Sequence, residues 1–79
     1  MSVRVDGQTI HVEGNSPVED AEPILAALQD DPQRTVDLSS AIRLHSAGLQ
    51  ILLALRPKIV GLPSDPFQAR FIPFRYDLA

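Results

Sequence analysis

Val3, Val5, Ile10 and Val12 alternate with polar residues on either side of Asp6-Gly7. A period of two marks half-buried strands, and Asp-Gly suits a tight hairpin turn. Two antiparallel strands are therefore predicted over 2–6 and 8–13. His11 falls out of phase with Ile10 and Val12, so it should face solvent or the other side of the sheet as filler, not as a ligand. Gly14-Asn15 is expected to break the strand. Ser16-Pro17-Val18-Glu19 then reads as a capping box with proline at the first helical position. From there the period lengthens to three and four: Val18, Ala21, Leu25 and Leu28, with Ile24 widening the stripe. Glu19, Asp20 and Glu22 lie at the positive end of that helix, where carboxylates are stabilising, and first-turn acids on a solvated face explain them without a metal. Pro23 interrupts the pattern, because an interior proline removes a backbone bond and crowds the preceding turn. Either the helix bends there or its regular part begins near Asp20; the sequence leaves both open.

Asp30-Asp31-Pro32 closes the helix, and 34–38 forms the next strand. Strand, helix and strand in that order predict a right-handed crossover with parallel strands. A polar elbow, 39–46, ends in His45-Ser46-Ala47-Gly48 and hands over to the most apolar helix-length segment, 46–55. Leu49, Leu52 and Leu53 share one side of that helix, with Ile51 and Leu55 round the edge, which predicts deeper burial than an ordinary surface helix has. Pro57 stops it, since the residue before proline is pushed out of helical geometry. Residues 58–61 read as a short fourth strand. Ser64-Asp65-Pro66 repeats the cap-then-proline signal and opens a last short helix, whose Phe67 and Phe71 lie four residues apart and are predicted to face inward against the sheet. Pro73 ends it, and 74–79 reads as a tail. The predicted fold class is α/β: one domain, 1–79, with a mixed sheet of about four strands packed against two to three helices.

Composition narrows the picture. A chain of 79 residues supports one core, near the lower limit for a fold without staples. It has no cysteine, so disulfides and thiolate metal sites are excluded. Its two histidines are far apart with no ligand spacing, and no metal or cofactor is expected. The net charge of −3 and the scattered basic residues argue against nucleic acid as a partner. The longest apolar run, 49–55, is broken by Gln50 and far too short to insert across a bilayer. The first residues lack the charged-then-apolar order of a signal peptide, so a cytoplasmic protein is expected.

Asp37, His45 and Ser46 invite a catalytic triad. Adjacent residues rarely bring an imidazole onto the neighbouring hydroxyl, and no G-x-S-x-G elbow is present, so catalysis is not expected. Ser46 is instead a natural cap for the amides of Gly48 and Leu49. Glycine inside a helix costs roughly 1 kcal/mol against alanine. Gly48 therefore predicts the close approach of another backbone, either a neighbouring strand or a partner protein.

Asp37-Leu38-Ser39, a short connection, then His45-Ser46-Ala47-Gly48-Leu49 and Ile51-Leu52-Leu53-Ala54-Leu55 resemble the STAS domain, the fold of the anti-sigma factor antagonists. That family reads D-L-S-G, a short hydrophobic connection, D-S-S-G-L and a Leu-rich helix, and the resemblance covers residues 37–55. It implies a non-enzymatic protein-interaction module of a bacterial regulatory or sensory system, with a partner of the regulatory-kinase or anti-sigma type. The docking surface it implies runs over 39–50, with Ser39, Ser40, His45, Ser46, Ala47, Gly48 and Gln50 as contact residues. The serine that the family's kinases phosphorylate corresponds to Ala47, so the usual switch is missing. Ser46 matches the family's first serine and is the remaining acceptor, although a cap already explains it. His45 replaces the family's aspartate; because a protonated histidine would oppose the helix dipole, it should prefer to be neutral. One hydroxyl followed by Ala-Gly-Leu looks closer to the small STAS subunit of bacterial phospholipid-transport ABC systems, in which this elbow docks on the ATPase without phosphorylation. A third expectation is a structural homodimer through the Phe-rich C-terminal segment. Against the family's length the chain closes early, on Phe67 to Phe74, leaving a sheet edge or an aromatic segment to be covered by a partner or a second copy.

Overall fold

The computed structural model describes residues 2–70 and 72. Strands β1 (Val3–Asp6) and β2 (Thr9–Val12) form the antiparallel hairpin that the alternation predicts. Asp6 pairs with Thr9, so the two central turn residues are Gly7-Gln8, and Gly7 takes the positive φ of 60° that the first of them requires. Gly14-Asn15 does not break the extended chain. Gly14, at φ 65°, instead redirects it out of the first sheet into β3 (Gly14–Ser16).

The capping box at Ser16 does not form. The chain makes a 3-10 turn, Val18–Asp20, without a side-chain cap, and α1 (Ala21–Asp30) follows. The Ser16 hydroxyl donates to Asp20 Oδ2 at 2.6 Å, and the Ser2 hydroxyl donates to the same oxygen. This buried carboxylate thus ties together the starts of the first strand and of the first helix. Regular helix therefore begins late, with Pro23 in its first turn, where a missing N–H leaves no bond unmade. Ile24, Ala27 and Leu28 face the core, while Val18 is exposed and Leu25 half-buried. The buried stripe differs from the predicted one because Val18 belongs to the tighter 3-10 turn, whose period takes it off the helical face.

Strand β4 (Thr35–Asp37) lies parallel to β2, pairing Ile10 with Val36 and His11 with Asp37. Beyond it, β6 (Lys58–Val60) is also parallel and sets Ile59 beside Val36. The order β1-β2-β4-β6 makes a mixed sheet of four strands, as the sequence predicts. Ile10, Val12, Val36 and Ile59 form its inner face and pack with Ile24 and Leu28 of α1. Each such fully buried aliphatic side chain contributes about 1.5–3 kcal/mol.

The elbow predicted over 39–46 is not a loop. After a turn at Ser39-Ser40 the chain forms β5 (Ala41–Leu44), parallel to β3 in a second, two-stranded sheet. Helix α2 (Ser46–Leu55) has the predicted bounds. It is buried less deeply than predicted: Leu52 is fully enclosed, Leu49 and Ile51 are partly so, and Leu53 and Leu55 are exposed. Arg56 closes it at φ 50°, donating its N–H to Leu52 O at 2.8 Å, directly before Pro57. Helix α3 (Pro66–Ala69) starts on the predicted signal, with Asp65 Oδ1 accepting the Phe67 N–H at 2.9 Å. Phe67, however, faces outward at 62% exposure, and Gln68 is the residue this single turn buries. Phe71 and the tail over 74–79 lie outside the described residues. Among the described residues no helix is long and apolar enough to cross a membrane.

The tight approach predicted at Gly48 is found at Gly61. A Cβ at Gly48 would meet Leu44 Cδ2 at 3.8 Å and Ile24 Cδ1 at 3.9 Å, which is ordinary contact. At Gly61, with φ 74°, it would fall 2.7 Å from Ser39 N and 2.8 Å from Ser39 Cα. Gly48→Ala is expected to raise stability by up to about 1 kcal/mol. Gly61→Ala should lower it by at least about 1–2 kcal/mol, the cost of a left-handed residue with a side chain. Urea unfolding midpoints of the two variants check this, and the reverse order would return the close approach to α2.

Candidate functional site

The site is built on the end of β5. Leu44 is fully buried, and the strand that ends on it needs main-chain partners at both edges. Gln68 supplies one side: its Oε1 accepts the Leu44 N–H at 2.8 Å, and its Nε2 donates to Leu44 O at 2.6 Å. The side-chain amide thus does what a residue of a neighbouring strand would do. Upstream, the amides of Ser64 and Asp65 donate to Ala41 O and Ile42 O at 3.0 Å each. On the other side β3 pairs with β5, and the His45 N–H donates to Ser16 O at 2.8 Å.

Held in this way, His45 becomes the N-cap of α2. Its Nδ1 accepts the Ala47 N–H at 3.0 Å, and its carbonyl accepts the Leu49 N–H at 3.1 Å. The cap is therefore His45 and not Ser46, which stands exposed on the first turn. The bond uses the lone pair of Nδ1, which leaves Nε2 as the ring's N–H donor on the exposed side of the cap.

A groove of about 680 Å³ opens over this junction, between α2, α3 and the β3–β5 pair. Asn15, Ser16, Arg43, His45, Ser46 and Gln50 give it a polar lining, and Leu49, Leu53 and Phe67 an apolar one. Of the residues expected to dock a partner, His45, Ser46 and Gln50 lie on this groove. Ala47 is half-buried and Gly48 buried, behind the exposed turn. Ser39 and Ser40 are exposed at the far end of β5 and do not join them. The apolar sides of the groove were missed. Their signal is the Leu-rich helix itself, whose second apolar face reads as deep burial when Leu53 is in fact 39% exposed.

Asp37 does not meet His45 and Ser46. Its Oδ2 is 3.2 Å from His11 Nδ1, while its Oδ1 accepts the Ser39 hydroxyl at 2.6 Å and the Ser39 N–H at 2.9 Å. Imidazole and hydroxyl both sit on the carboxylate, and neither activates the other. The Ser39 hydroxyl first, then its amide and the nearby His11, hold the Asp37 carboxyl below the usual range against the opposing effect of burial. Among the described residues no group of His, Asp and Glu is arranged to hold a metal ion. No protein-family model and no curated protein matches the chain.

Two measurements test this arrangement. Gln68→Leu keeps the volume but leaves the Leu44 N–H and C=O without partners, and should cost about 1–3 kcal/mol for each group that stays dry. Chemical denaturation checks it, and an unchanged midpoint would mean that water replaces the amide. The lowered carboxyl of Asp37 stabilises the fold fully above its unfolded value, about 3.9. That contribution is lost as pH falls through the lower folded value. The stability advantage of wild type over Asp37→Asn should therefore hold near neutrality and shrink in acid, read from unfolding curves at a series of pH values.

Proposed function

We propose that this chain is a non-enzymatic protein-interaction module of a bacterial regulatory system, docking a partner protein through the groove at the start of α2. The observation that carries the reading is the pair Leu53 and Phe67, 39% and 62% exposed on the sides of one groove. Large apolar side chains gathered on a polar-rimmed cleft are the common anatomy of a protein-docking site. Hydrogen bonds hold two of its parts in place: Gln68 takes both main-chain groups of Leu44, and His45 caps the helix start. The STAS reading is supported by the element order: a hairpin, a parallel crossover, Asp37-Leu38-Ser39 leaving a strand, and His45-Ser46-Ala47-Gly48-Leu49 opening a helix.

Within that reading, Ala47 favours docking without the family's serine switch. It favours equally the second form of the proposal, an accessory subunit seated on an ABC-type ATPase. Incubation with an anti-sigma-type kinase and ATP is expected to add no mass to the intact protein. A phosphate mapped to the exposed Ser46 would restore the switch.

Leu53→Asp and Phe67→Asp place a charge on the apolar sides of the groove. Both are expected to remain folded by circular dichroism, with the melting temperature little changed, and to lose the partner that wild-type protein captures from its native lysate. Partner capture that survives both substitutions would remove the groove from the docking surface.

A further inference from the structure

We propose that β1 is a homotypic docking edge, along which two copies of this chain pair antiparallel about a two-fold axis at Val5. Among the described residues β1 ends the four-stranded sheet, and Arg4, Val5 and Asp6 are all exposed. The Glu13 N–H donates to Ser2 O at 2.8 Å, and Val3, Arg4, Val5 and Asp6 face Val12, His11, Ile10 and Thr9. In an antiparallel ladder bonded pairs alternate with non-bonded ones. Ser2, Arg4 and Asp6 thus spend their main-chain groups on β2, while Val3 and Val5 turn theirs outward.

That parity and the side chains select one register. With the axis at Val5, the two copies of Val5 exchange both main-chain bonds. Arg4 of each copy then stands opposite Asp6 of the other, twice over, in the closer, non-bonded pairs. Moving the axis to Arg4 or to Asp6 keeps the bonding parity but sets like charges face to face, which is destabilising, and moving it to Val3 sets Arg4 against Ser2 with no opposite charge to meet. Natural edges are commonly blunted with charged side chains, lysine above all, or with proline. This one has no lysine or proline between residues 3 and 6, and its two charges are opposite in sign, so a second copy can complement them. In the single copy Arg4 lies 3.8 Å from Asp6 and 3.6 Å from Glu13, with all three side chains about half exposed or more. Pairs of that kind are weak enough to exchange across the axis. Val5, 45% exposed beside the fully buried Ile10, would meet its own copy on the helix side of the joined sheet. No residue lining the groove belongs to β1, so the two surfaces are testable apart.

Sedimentation equilibrium over a concentration series tests the proposal. Wild-type protein is expected to form dimers as concentration rises, with the Val5 amide exchanging its hydrogen more slowly over the same range. Arg4→Asp alone and Asp6→Lys alone should each be monomeric. An equimolar mixture of these two variants should recover the dimer, because each offers the charge that the other lacks. A wild-type monomer throughout, a dimer that neither variant weakens, or variants that stay apart on mixing would each overturn the proposal. A dimer dissolved by Phe67→Asp and indifferent to charge at β1 would move the interface to α3.

Discussion

Leu44 enters the core with its main chain as well as its side chain, and a buried main-chain group without a partner costs about 1–3 kcal/mol. The chain meets that requirement with a side chain. Gln68 reaches across to both polar groups of Leu44, and in doing so fixes α3 against β5. The consequences run outward from there. With one edge of β5 satisfied by Gln68 and the amides of Ser64 and Asp65, the other is committed to β3. His45 then leaves the strand in a set direction, accepts the amide of Ala47, and starts α2 where Leu52 can reach the core. Phe67 faces outward for the same reason: in a helix of one turn, burying Gln68 turns its neighbour to the surface.

This helps to explain which parts of the fold are legible in the sequence. The hairpin, the parallel crossover and the bounds of α2 follow from local signals: alternation, Gly7, Pro57 and the apolar period. β5 does not alternate, since Ala41 and Leu44 are buried while Ile42 and Arg43 between them are exposed. Its partners are a three-residue strand, a glutamine side chain and the amides of Ser64 and Asp65, none of which leaves a periodic trace. The residues of the site were half legible. The helix start at His45 and Ser46 is visible as a polar junction, but which of the two caps the helix depends on where Ser16 holds the His45 amide. Gly48 and Gly61 make the same point. Glycine announces that a side chain is unwelcome, and only the tertiary neighbour, Ser39 in one case and open contact in the other, says why.

Asp37-Leu38-Ser39 is shaped by the fold before any partner is considered. Asp37 receives the Ser39 hydroxyl and amide on one oxygen and faces His11 on the other. The Ser39 backbone is thereby drawn into the space that Gly61 leaves at the end of β6. Leu38, fully buried, donates its N–H to Val60 O at 2.9 Å. The aspartate pins the turn by which the chain leaves the main sheet for the second one. His11 is its partner because the parallel register sets the two side by side, although they are distant in sequence. Ser39 and Ser40 are therefore drawn toward this turn rather than toward the groove.

Size accounts for what is left uncovered. A small domain encloses a smaller share of its apolar surface than a large one does. Here the shortfall falls on α2, whose ten residues include one fully buried leucine and two exposed ones. Among the described residues no element covers Leu53 on that side, and the groove stands there instead. A ligand that binds only the folded state stabilises it by mass action. A protein docked in the groove, as proposed, would therefore complete the helix's burial in the same step as it is recognised, and its binding and the folding of this chain would draw on the same leucines.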